Sequence, residues 1–412
     1  MKPKLLYLVH RIPYPPNKGD KIRSFNWLNG LSDKYDIYLG TFVDNNEDKQ
    51  YIRELRKYCT SVFVEKFNPK VAKIRSLSGL LSGQALTLPY YRNANLQSWV
   101  DFVVQENNIS LALIFSSSMA QYVDGEKYTS VKRVMDFVDI DSDKWKQYSE
   151  KKSGIMKWIY SREAIKLLDY EKQVCEKFDS SLFVSSKESE MFSRLISSGK
   201  DKVDFVNNGV DVQYFSPNNN YENPYESNGP ILVFTGAMDY WANIDAVVWF
   251  SKEIYPIVKQ QFPDLQFYIV GSGATAEVLA LQGIEGIEVT GRVDDVRPYV
   301  YYSNIAVAPM RIARGVQNKV LEAMALAKEC IVSPQGLEGI EAKPGEQIML
   351  ANNNEEWLGH ISNLLIEHKQ NNLGRDSRQF VSAQFSWKNN ITKLENIIGC
   401  DSSAEKYDEL SN

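Results

Sequence analysis

The chain has 412 residues, of which 43% are hydrophobic and 24% are charged. That length suits two globular domains of about 200 residues each. The net charge of −5 gives no reason to expect a nucleic-acid partner. No apolar run approaches the roughly 18 residues of a membrane-spanning helix, and the four scattered cysteines suggest neither a metal knuckle nor a disulfide framework. These features predict a cytoplasmic protein without a signal peptide.

The charge is unevenly distributed between the two halves. Residues 1–205 carry 32 Lys and Arg against 26 Asp and Glu, whereas the remaining residues carry 15 against 26. Such an asymmetry indicates that the first half meets an anionic partner. The alternative is that the two halves simply have differently solvated surfaces.

Short apolar runs alternate with longer helical patterns along the first half. The strand-like runs lie at 5–9, 37–43, 61–65, 111–115, 133–138 and 180–185, and the clearest helical stretches at 22–31, 95–106 and 157–177. This alternation predicts a parallel sheet that is covered by helices on both faces.

The same pattern restarts after a polar Asn/Pro/Gly-rich segment at 218–230. Further strand-like runs follow at 231–236, 264–273, 287–291, 305–309 and 329–333. We therefore expect two doubly wound α/β domains, 1–208 and 209–383, joined near Asn207–Pro217. Ligands of such sheets bind at the carboxyl ends of the strands. The tail at 401–412 is polar and is expected to fray.

The segment 308–333, APMRIARGVQNKVLEAMALAKECIVS, carries the most chemical information. A strand should end at Pro309, and Gly315 should open a helix. Val316, Val320 and Met324 are spaced to face the core of that helix.

The opposite face of the predicted helix carries Gly315, Asn318, Lys319 and Glu322. A helix N-terminus attracts phosphate because its backbone N–H groups are unpaired, and a lysine in the first turn adds positive charge. A carboxylate one turn further on can accept hydrogen bonds from a ribose. The alternative is an ordinary capped helix with a solvated Glu322.

GVQNKVLEAMA (315–325) followed by PQGLEGI (334–340) resembles the donor-site signature of the group 1 retaining glycosyltransferases, the glycogen-synthase-like GT-B superfamily. VNNGVDVQYFSP (206–217), DLQFYIVGSG (264–273) and FSWKNNITKLENII (385–398) resemble other segments of that family in the same order. The resemblance implies an α/β fold of GT-B type, with two Rossmann-like domains facing a cleft. It also implies a C-terminal helix, within 384–400, that crosses back to the first domain.

Two further segments narrow the resemblance. GAMDYWANIDAV (236–247) and DFVDIDSDKW (136–145) most resemble sugar transferases of exopolysaccharide and PEP-CTERM (exosortase) gene clusters.

The resemblance also implies roles for particular residues. Glu322 matches the glutamate that holds the ribose, and the backbone N–H groups of Asn318 and Lys319 match those that bind the pyrophosphate. The rest of the expected donor-binding set is Gly19, Gly236, Arg311, Gly315 and Gln317. The expected acceptor-side residues are His10, Asp20 and Arg23.

Three departures from the family pattern bear on catalysis. The first glutamate of the Glu-x7-Glu motif is Arg314 here, and the pyrophosphate-clamping Arg and Lys are missing from GAMDYWAN. A dianionic leaving group still needs compensating charge, so we expect the clamp to have moved to Arg311, Arg314 and Lys319. The histidine that many relatives place after a first-domain strand is also absent, with Asp139 as the nearest candidate. The predicted catalytic residues are thus Asp139, Arg314 and Lys319.

The series Asp139-x-Asp141-x-Asp143 invites a metal interpretation. GT-B enzymes balance the pyrophosphate with a helix terminus and basic side chains, and Asp-x-Asp pairs are common in loops. We therefore expect no metal and no cofactor, with metal binding as the minor alternative.

The function expected from the resemblance is sugar transfer, with retention, from a nucleoside-diphosphate sugar to a saccharide or lipid-linked acceptor. The main alternative is a catalytically degenerate nucleotide-sugar-binding subunit of a polysaccharide assembly system; a sugar epimerase is disfavoured. Basic residues beside an apolar stretch in 66–91 predict contact with an anionic membrane surface, at the inner face of the cytoplasmic membrane. The alternative is that Leu77–Leu81 is a buried core helix.

Overall fold

A computed structural model describes residues 2–16, 19–44, 46–312, 315–366 and 372–399. The strands are β1 Lys4–Val9, β2 Asp36–Val43, β3 Ser61–Lys66, β4 Leu111–Phe115, β5 Lys132–Val138, β6 Ser180–Phe183, β7 Val203–Phe205, β8 Ile231–Thr235, β9 Gln266–Val270, β10 Ile287–Gly291, β11 Ile305–Ala308, β12 Glu329–Val332 and β13 Met349–Leu350.

The α-helices are α1 Gly19–Ser32, α2 Ile52–Leu55, α3 Pro69–Ser76, α4 Ser78–Ser82, α5 Thr87–Tyr91, α6 Ala94–Glu106, α7 Asp141–Glu150, α8 Gly154–Lys177, α9 Ser186–Leu195, α10 Trp241–Trp249, α11 Tyr255–Gln261, α12 Ala276–Leu279, α13 Arg297–Tyr302, α14 Asn318–Ala325, α15 Asn354–Ile366, α16 Leu373–Gln384 and α17 Trp387–Ile398. None of the helices in the described ranges is long and apolar enough to cross a membrane.

The chain divides into two compact units. One comprises Met1–Asn207 together with a C-terminal segment that begins at Asn390, and the other comprises Asn208–Asn389. Each unit has its own parallel sheet and its own buried apolar core.

The sheet of the first unit has the strand order β3-β2-β1-β4-β5-β6-β7. Strand β4 (LALIF) is buried along its whole length and β1 along all but its first residue, because helices cover both faces of a parallel sheet. The order reverses between β1 and β4, which leaves a crevice at the carboxyl ends of these strands, where ligands of open α/β sheets bind.

The sheet of the second unit repeats this arrangement, with the order β10-β9-β8-β11-β12-β13. Its reversal lies between β8 and β11. The predicted α/β class with two doubly wound sheets is confirmed. The sequence pattern missed β7 and β13, which have three and two residues and so are too short for a period to show.

The last described helix returns to the first unit, as the resemblance implied. At its start, Trp387 packs against Gly209 of the second unit; a Cβ added to that glycine would lie 2.5 Å from the indole. From Asn390 onward the helix belongs to the first unit. There Ile391 covers Gly30, and Glu395 Oε2 pairs with Lys34 Nζ at 2.7 Å.

A buried ion pair ties α1 to β5 inside the first unit. Arg23, on α1, is 1% exposed and donates from Nε and Nη2 to the Asp136 carboxylate at 2.8 and 3.0 Å. Trp27 Nε1 donates to the same carboxylate at 2.8 Å, and Arg23 Nη1 donates to the Val206 carbonyl at 2.7 Å. The prediction that Arg23 is an acceptor-side residue is therefore wrong, because its guanidinium is enclosed by protein groups.

Candidate functional site

The carboxyl ends of the central strands of the second unit gather several glycines. Gly236 follows β8, and Gly271 and Gly273 follow β9. A Cβ at Gly271 would lie 1.8 Å from the Gly236 carbonyl oxygen, and one at Gly236 would lie 2.7 Å from Asn243 Nδ2 and 3.3 Å from Lys319 Nζ. Only glycine permits this approach, which brings the turn after β9 against the turn after β8, and the turn after β8 against Lys319 in the first turn of α14.

Lys319 supplies a desolvated cation at this point. Its Nζ donates to Asn243 Oδ1 at 2.5 Å and lies 4.2 Å from the centroid of the Phe234 ring. Burial lowers the pKa of Lys319 to about 7, although Glu322 acts in the opposite direction. The Met310 sulfur lies 3.8 Å from the same Nζ, and none of these three neighbours carries a negative charge. An incoming anion would therefore find a cation that has no carboxylate neighbour within ion-pair distance in the described residues.

Glu322 lies one turn beyond Lys319 on α14. The residue is partly buried, and burial of its carboxyl group raises its pKa to about 7, with Lys319 opposing the shift. A freely solvated carboxylate would keep its ordinary pKa, so this environment argues against the alternative of a merely solvated Glu322. The carboxyl group is placed to accept hydrogen bonds from a ligand that replaces the lost water.

Helix α14 begins at Asn318 and not at Gly315 as expected. Gly315 has φ 68°, in the left-handed region, so it forms a turn before the helix. Gln317 precedes the helix, gives it no side-chain cap, and donates from Nε2 to the Gly315 carbonyl at 3.1 Å. The N-terminal N–H groups of the helix thus receive no cap from that side chain.

Asn318 carries a further unsatisfied group at the same helix terminus. Its Oδ1 atom is buried and has no hydrogen-bond partner among the described residues. A buried polar atom without a partner costs about 1–3 kcal/mol, a cost that a hydrogen-bonding ligand would remove. Asn318 therefore joins Lys319 and Glu322 as a candidate ligand contact.

The two arginines of the expected clamp differ from Lys319. Arg311 is exposed and already pairs with Asp245, at 2.9 Å from Nε and 2.6 Å from Nη2. It would have to leave that carboxylate to reach a diphosphate. Arg314 lies outside the described residues. Lys319 is thus the member of the predicted clamp whose surroundings best suit an anion.

Sequence reasoning missed Asn243, which holds the Lys319 ammonium. Asn243 is 6% exposed, and its Nδ2 donates to the Ala237 carbonyl at 2.9 Å, which orients Oδ1 toward the lysine. The available signal was a polar residue at the end of GAMDYWAN, in the first turn of the helix that follows β8, at a position where an apolar residue would ordinarily face the core.

The carboxyl ends of the central strands of the first unit carry a second polar group. His10 follows β1; its ring stacks on Phe115 with 5.9 Å between centroids, and its Nε2 lies 3.6 Å from Asp20 Oδ2. Arg11 Nη1 donates to the same Asp20 oxygen at 3.0 Å. Hydrogen bonding and charge from His10, reinforced by Arg11, hold the pKa of Asp20 well below its usual value despite burial.

One ring nitrogen of His10 has no hydrogen-bond partner in this arrangement of described residues. Its Nδ1 atom is buried and has no hydrogen-bond partner among the described residues. Gly19, the first residue of α1, has no atom within 4 Å of the position a Cβ would take, so the neighbouring protein does not require a glycine there. His10, Asp20 and Gly19 remain acceptor-side or donor-side predictions at this edge of the sheet.

Backbone strain marks the ends of β4 and β5 next to that group. Ser116 and Val138 have φ values of 78° and 69°. A β-branched residue in the left-handed region is a genuine outlier, and such strain concentrates at functional sites. The turn at Val138 directs the chain into Asp139 and the start of α7.

Asp139 forms a charge cluster with a neighbouring lysine. Lys144 Nζ lies 2.9 Å from Asp139 Oδ2 and 3.2 Å from Asp141 Oδ1, and the two carboxylates raise the pKa of this lysine above its usual value despite desolvation. Ser117 donates to the other Asp141 oxygen at 2.9 Å. The two carboxylates of the Asp-x-Asp pair thus share a protein cation, and Asp139 stays a predicted catalytic residue.

Comparisons with known proteins agree with this architecture. Residues 229–367 match the family described as "Glycosyl transferases group 1". An uncharacterized 44.6 kDa protein in the cps region of Klebsiella pneumoniae is 22% identical over 377 residues, 87% of this chain and 90% of that protein.

Two solved structures share the fold at low identity. The Anabaena protein Alr3699/HepE in complex with UDP has a TM-score of 0.68 and 13% identity, covering 97% of this chain and all of that one. WaaG, a glycosyltransferase involved in lipopolysaccharide biosynthesis, has a TM-score of 0.65 and 11% identity, covering 96% of this chain and all of that one.

The protein has a GT-B fold. Its defining features are two Rossmann-like sheets, a glycine-lined helix terminus in the second unit and a C-terminal helix that returns to the first unit. The family match falls on the unit that carries Lys319 and Glu322. Residues 229–367 resemble the group 1 glycosyl transferases, and the chain as a whole has the GT-B fold.

The environments of Lys319 and Glu322 predict a bell-shaped pH dependence of nucleotide affinity. A bound diphosphate favours protonated Lys319, so its contribution is complete below the free pKa of about 7 and is lost as the pH rises above it. Ribose hydroxyls favour ionised Glu322, so that contribution is lost as the pH falls below about 7.

Calorimetry in buffers of different ionisation enthalpy checks this expectation. Above neutrality, binding should take up a proton, and Lys319→Met should abolish the uptake. The same uptake in wild type and Lys319→Met would mean that another group titrates.

Proposed function

We propose that this enzyme transfers a sugar, with retention of anomeric configuration, from a nucleoside-diphosphate sugar to a saccharide or lipid-linked acceptor. The observation that carries the proposal is Lys319: a desolvated ammonium group, held by the neutral Asn243 amide, at the uncapped N-terminus of α14. A diphosphate is the kind of anion that suits a helix terminus with such a cation.

The chemistry that these residues can perform is stabilisation of the departing diphosphate. Negative charge grows on the diphosphate as the bond between its oxygen and the anomeric carbon of the sugar breaks. A preorganised cation with aligned N–H groups stabilises that charge most where water is excluded. Glu322, one turn further along α14, is proposed to hold the ribose and so to fix the donor relative to Lys319. Gly236 and Gln317 complete the proposed donor-binding set.

Polysaccharide or other glycoconjugate biosynthesis is the proposed setting, with the exopolysaccharide and PEP-CTERM-associated transferases as the proposed subgroup. The relative from a cps region and the lipopolysaccharide transferase WaaG support this setting. Alr3699/HepE was solved with UDP and with UDP-glucose, which makes UDP the first nucleotide to test.

Glu322→Ala should weaken nucleotide binding by about 1.5–3 kcal/mol, the value of a hydrogen bond to a charged group. Titration calorimetry with UDP, GDP and ADP measures the effect. The control is Glu341→Ala, which replaces an exposed glutamate of the same unit and should leave the nucleotide affinity unchanged. Equal affinities of wild type and Glu322→Ala would refute the ribose assignment without affecting the family match of residues 229–367.

The alternative is a nucleotide-sugar-binding subunit without catalytic activity. The observation in its favour is Arg314, which stands where the family has the first glutamate of its donor motif. Such a subunit would bind a nucleotide sugar and release no nucleoside diphosphate when an acceptor extract is added, whereas an active transferase would release it in proportion to the acceptor.

A lipid-linked acceptor would place the first unit at the cytoplasmic face of a membrane. The segment 66–91, which the charge pattern marks for that role, forms α3, α4 and α5. Leu77 and Leu81 are 56% and 94% exposed, so the alternative of a buried core helix at Leu77–Leu81 is wrong. Arg75 donates to the Pro89 and Tyr90 carbonyls, both at 2.6 Å, and so fastens α3 to α5.

A further inference from the structure

The first unit exposes apolar side chains on two segments that are far apart in sequence. On α3 and α4, Ile74 and Leu81 are 72% and 94% exposed. On the first turns of α8, Ile155 and Trp158 are 73% and 58% exposed. Large side chains that stay outside the core in such groups mark interaction sites.

Hydrogen bonds join the two segments. Arg162, on α8, donates from Nη2 to the Gly79 carbonyl at 2.9 Å and from Nη1 to the Gln84 carbonyl at 3.1 Å. The next residue, Glu163, is 1% exposed and accepts from Leu86 N and Thr87 N at 2.6 and 2.9 Å. Around Arg162 and Glu163, α8 is therefore fixed against α4 and the start of α5.

The same geometry places the exposed α8 side chains beside the exposed α4 side chains. Trp158 and Ile155 precede Arg162 by four and seven residues, so they lie on the same side of the helix. At a rise of about 1.5 Å per residue, they lie about 6 and about 10 Å along the axis from the junction with α4. Both groups therefore lie near the junction of α8 with α4.

The charged side chains within these two segments all have one sign. No Asp or Glu occurs in 66–84 or in 151–162. Five exposed lysines in these segments form no ion pair within the described part of the chain: Lys66, Lys70, Lys73, Lys152 and Lys157. A second copy of the chain would bring the same positive charges, so self-association through these two segments is unfavourable.

We propose that α3, α4 and the first two turns of α8 form a single surface that binds anionic phospholipid bilayers. Leu81, Ile155 and Trp158 enter the headgroup boundary, and the surrounding lysines pair with lipid phosphates. Tryptophan suits this boundary because its ring is apolar and its N–H is polar. This inference depends on the proposed function in one respect only, namely that the surface would bring a lipid-linked acceptor to the first unit.

Co-sedimentation with vesicles tests the proposal. The protein should bind vesicles of phosphatidylcholine with phosphatidylglycerol, bind pure phosphatidylcholine much less, and dissociate as salt rises. Replacing Lys70, Lys73 and Lys157 with Ser should lower the partition coefficient by about 100-fold, since each basic residue near an anionic surface contributes about fivefold. Leu81→Ser with Trp158→Ser should abolish binding.

A control variant separates this surface from general exposed hydrophobicity. Phe102→Ser with Ile366→Ser removes two other exposed apolar side chains, 61% and 74% exposed, and should leave vesicle binding unchanged. Unaltered melting temperatures and nucleotide affinities in all variants would show that the fold and donor site are intact. Vesicle binding that survives Leu81→Ser with Trp158→Ser would overturn the proposal, as would a dimer that these substitutions dissociate. Either result would leave the transferase assignment untouched.

Discussion

Lys319→Met should slow sugar transfer by about 100-fold or more, the usual effect of removing one preorganised electrostatic group from a leaving-group site. The lysine has no carboxylate within ion-pair distance in the described part of the second unit, and its ammonium contacts the Asn243 amide, the Phe234 ring and the Met310 sulfur. Methionine retains the length and apolar stem of the side chain but loses the charge. The rate constant for transfer at saturating donor, measured by release of nucleoside diphosphate, reports the effect.

Lys328→Met is the matched control for that variant. Lys328 is also partly buried, burial lowers its pKa to about 8, and its Nζ donates to the Ser303 carbonyl. It lies next to the amino end of β12, whereas donors are expected at the carboxyl ends. Its replacement should leave the transfer rate nearly unchanged. Equal losses in the two variants would indicate a general loss of stability and would contradict the assigned role of Lys319.

Arg23→Ala should destabilise the first unit by about 3–5 kcal/mol, because it leaves the Asp136 carboxylate buried without its cation. Asp136 is fully buried, and among the described residues its carboxylate keeps the Trp27 indole and the Val138 amide as donors after the change. Urea unfolding followed by circular dichroism measures the loss.

Lys34→Ala removes an ion pair of the same unit in which the lysine is half exposed and the glutamate side chain is 9% exposed. Lys34 is 52% exposed where it meets Glu395, so its replacement should cost about 1 kcal/mol or less. If Arg23→Ala were as mild as Lys34→Ala, Arg23 would not be the structural residue described above, and its assignment to the acceptor side would have to be reconsidered.

Much of the fold could be predicted because its signals are local. Val320 and Met324 repeat at helical spacing and are buried on α14, and the apolar run of β4 is a fully buried strand. The start of α14 could not be predicted from the sequence. The helix begins at Asn318 because Gly315 adopts a positive φ and forms a turn before it, which only the structure shows.

The remaining features depend on contacts between distant residues. Arg23 lies in a helical pattern, and its partner Asp136 is 113 positions away in the sequence. No residue near Arg23 in the sequence therefore indicates that its side chain is buried. Leu77–Leu81 has the composition of a core helix, and only the structure shows that Leu77 and Leu81 are exposed. Asn243 gains its importance from Lys319, 76 residues further on.

The most direct test of the central claim is the release of nucleoside diphosphate from a nucleotide sugar, measured with and without an acceptor extract. UDP-glucose is the first donor to try, followed by GDP and ADP sugars. Wild-type protein should release nucleoside diphosphate from one of these donors in an acceptor-dependent manner. Glu322→Ala should require more donor, and Lys319→Met should be about 100-fold slower at saturation. Nucleotide binding with no acceptor-dependent release from any donor would contradict the transferase account and favour a binding subunit.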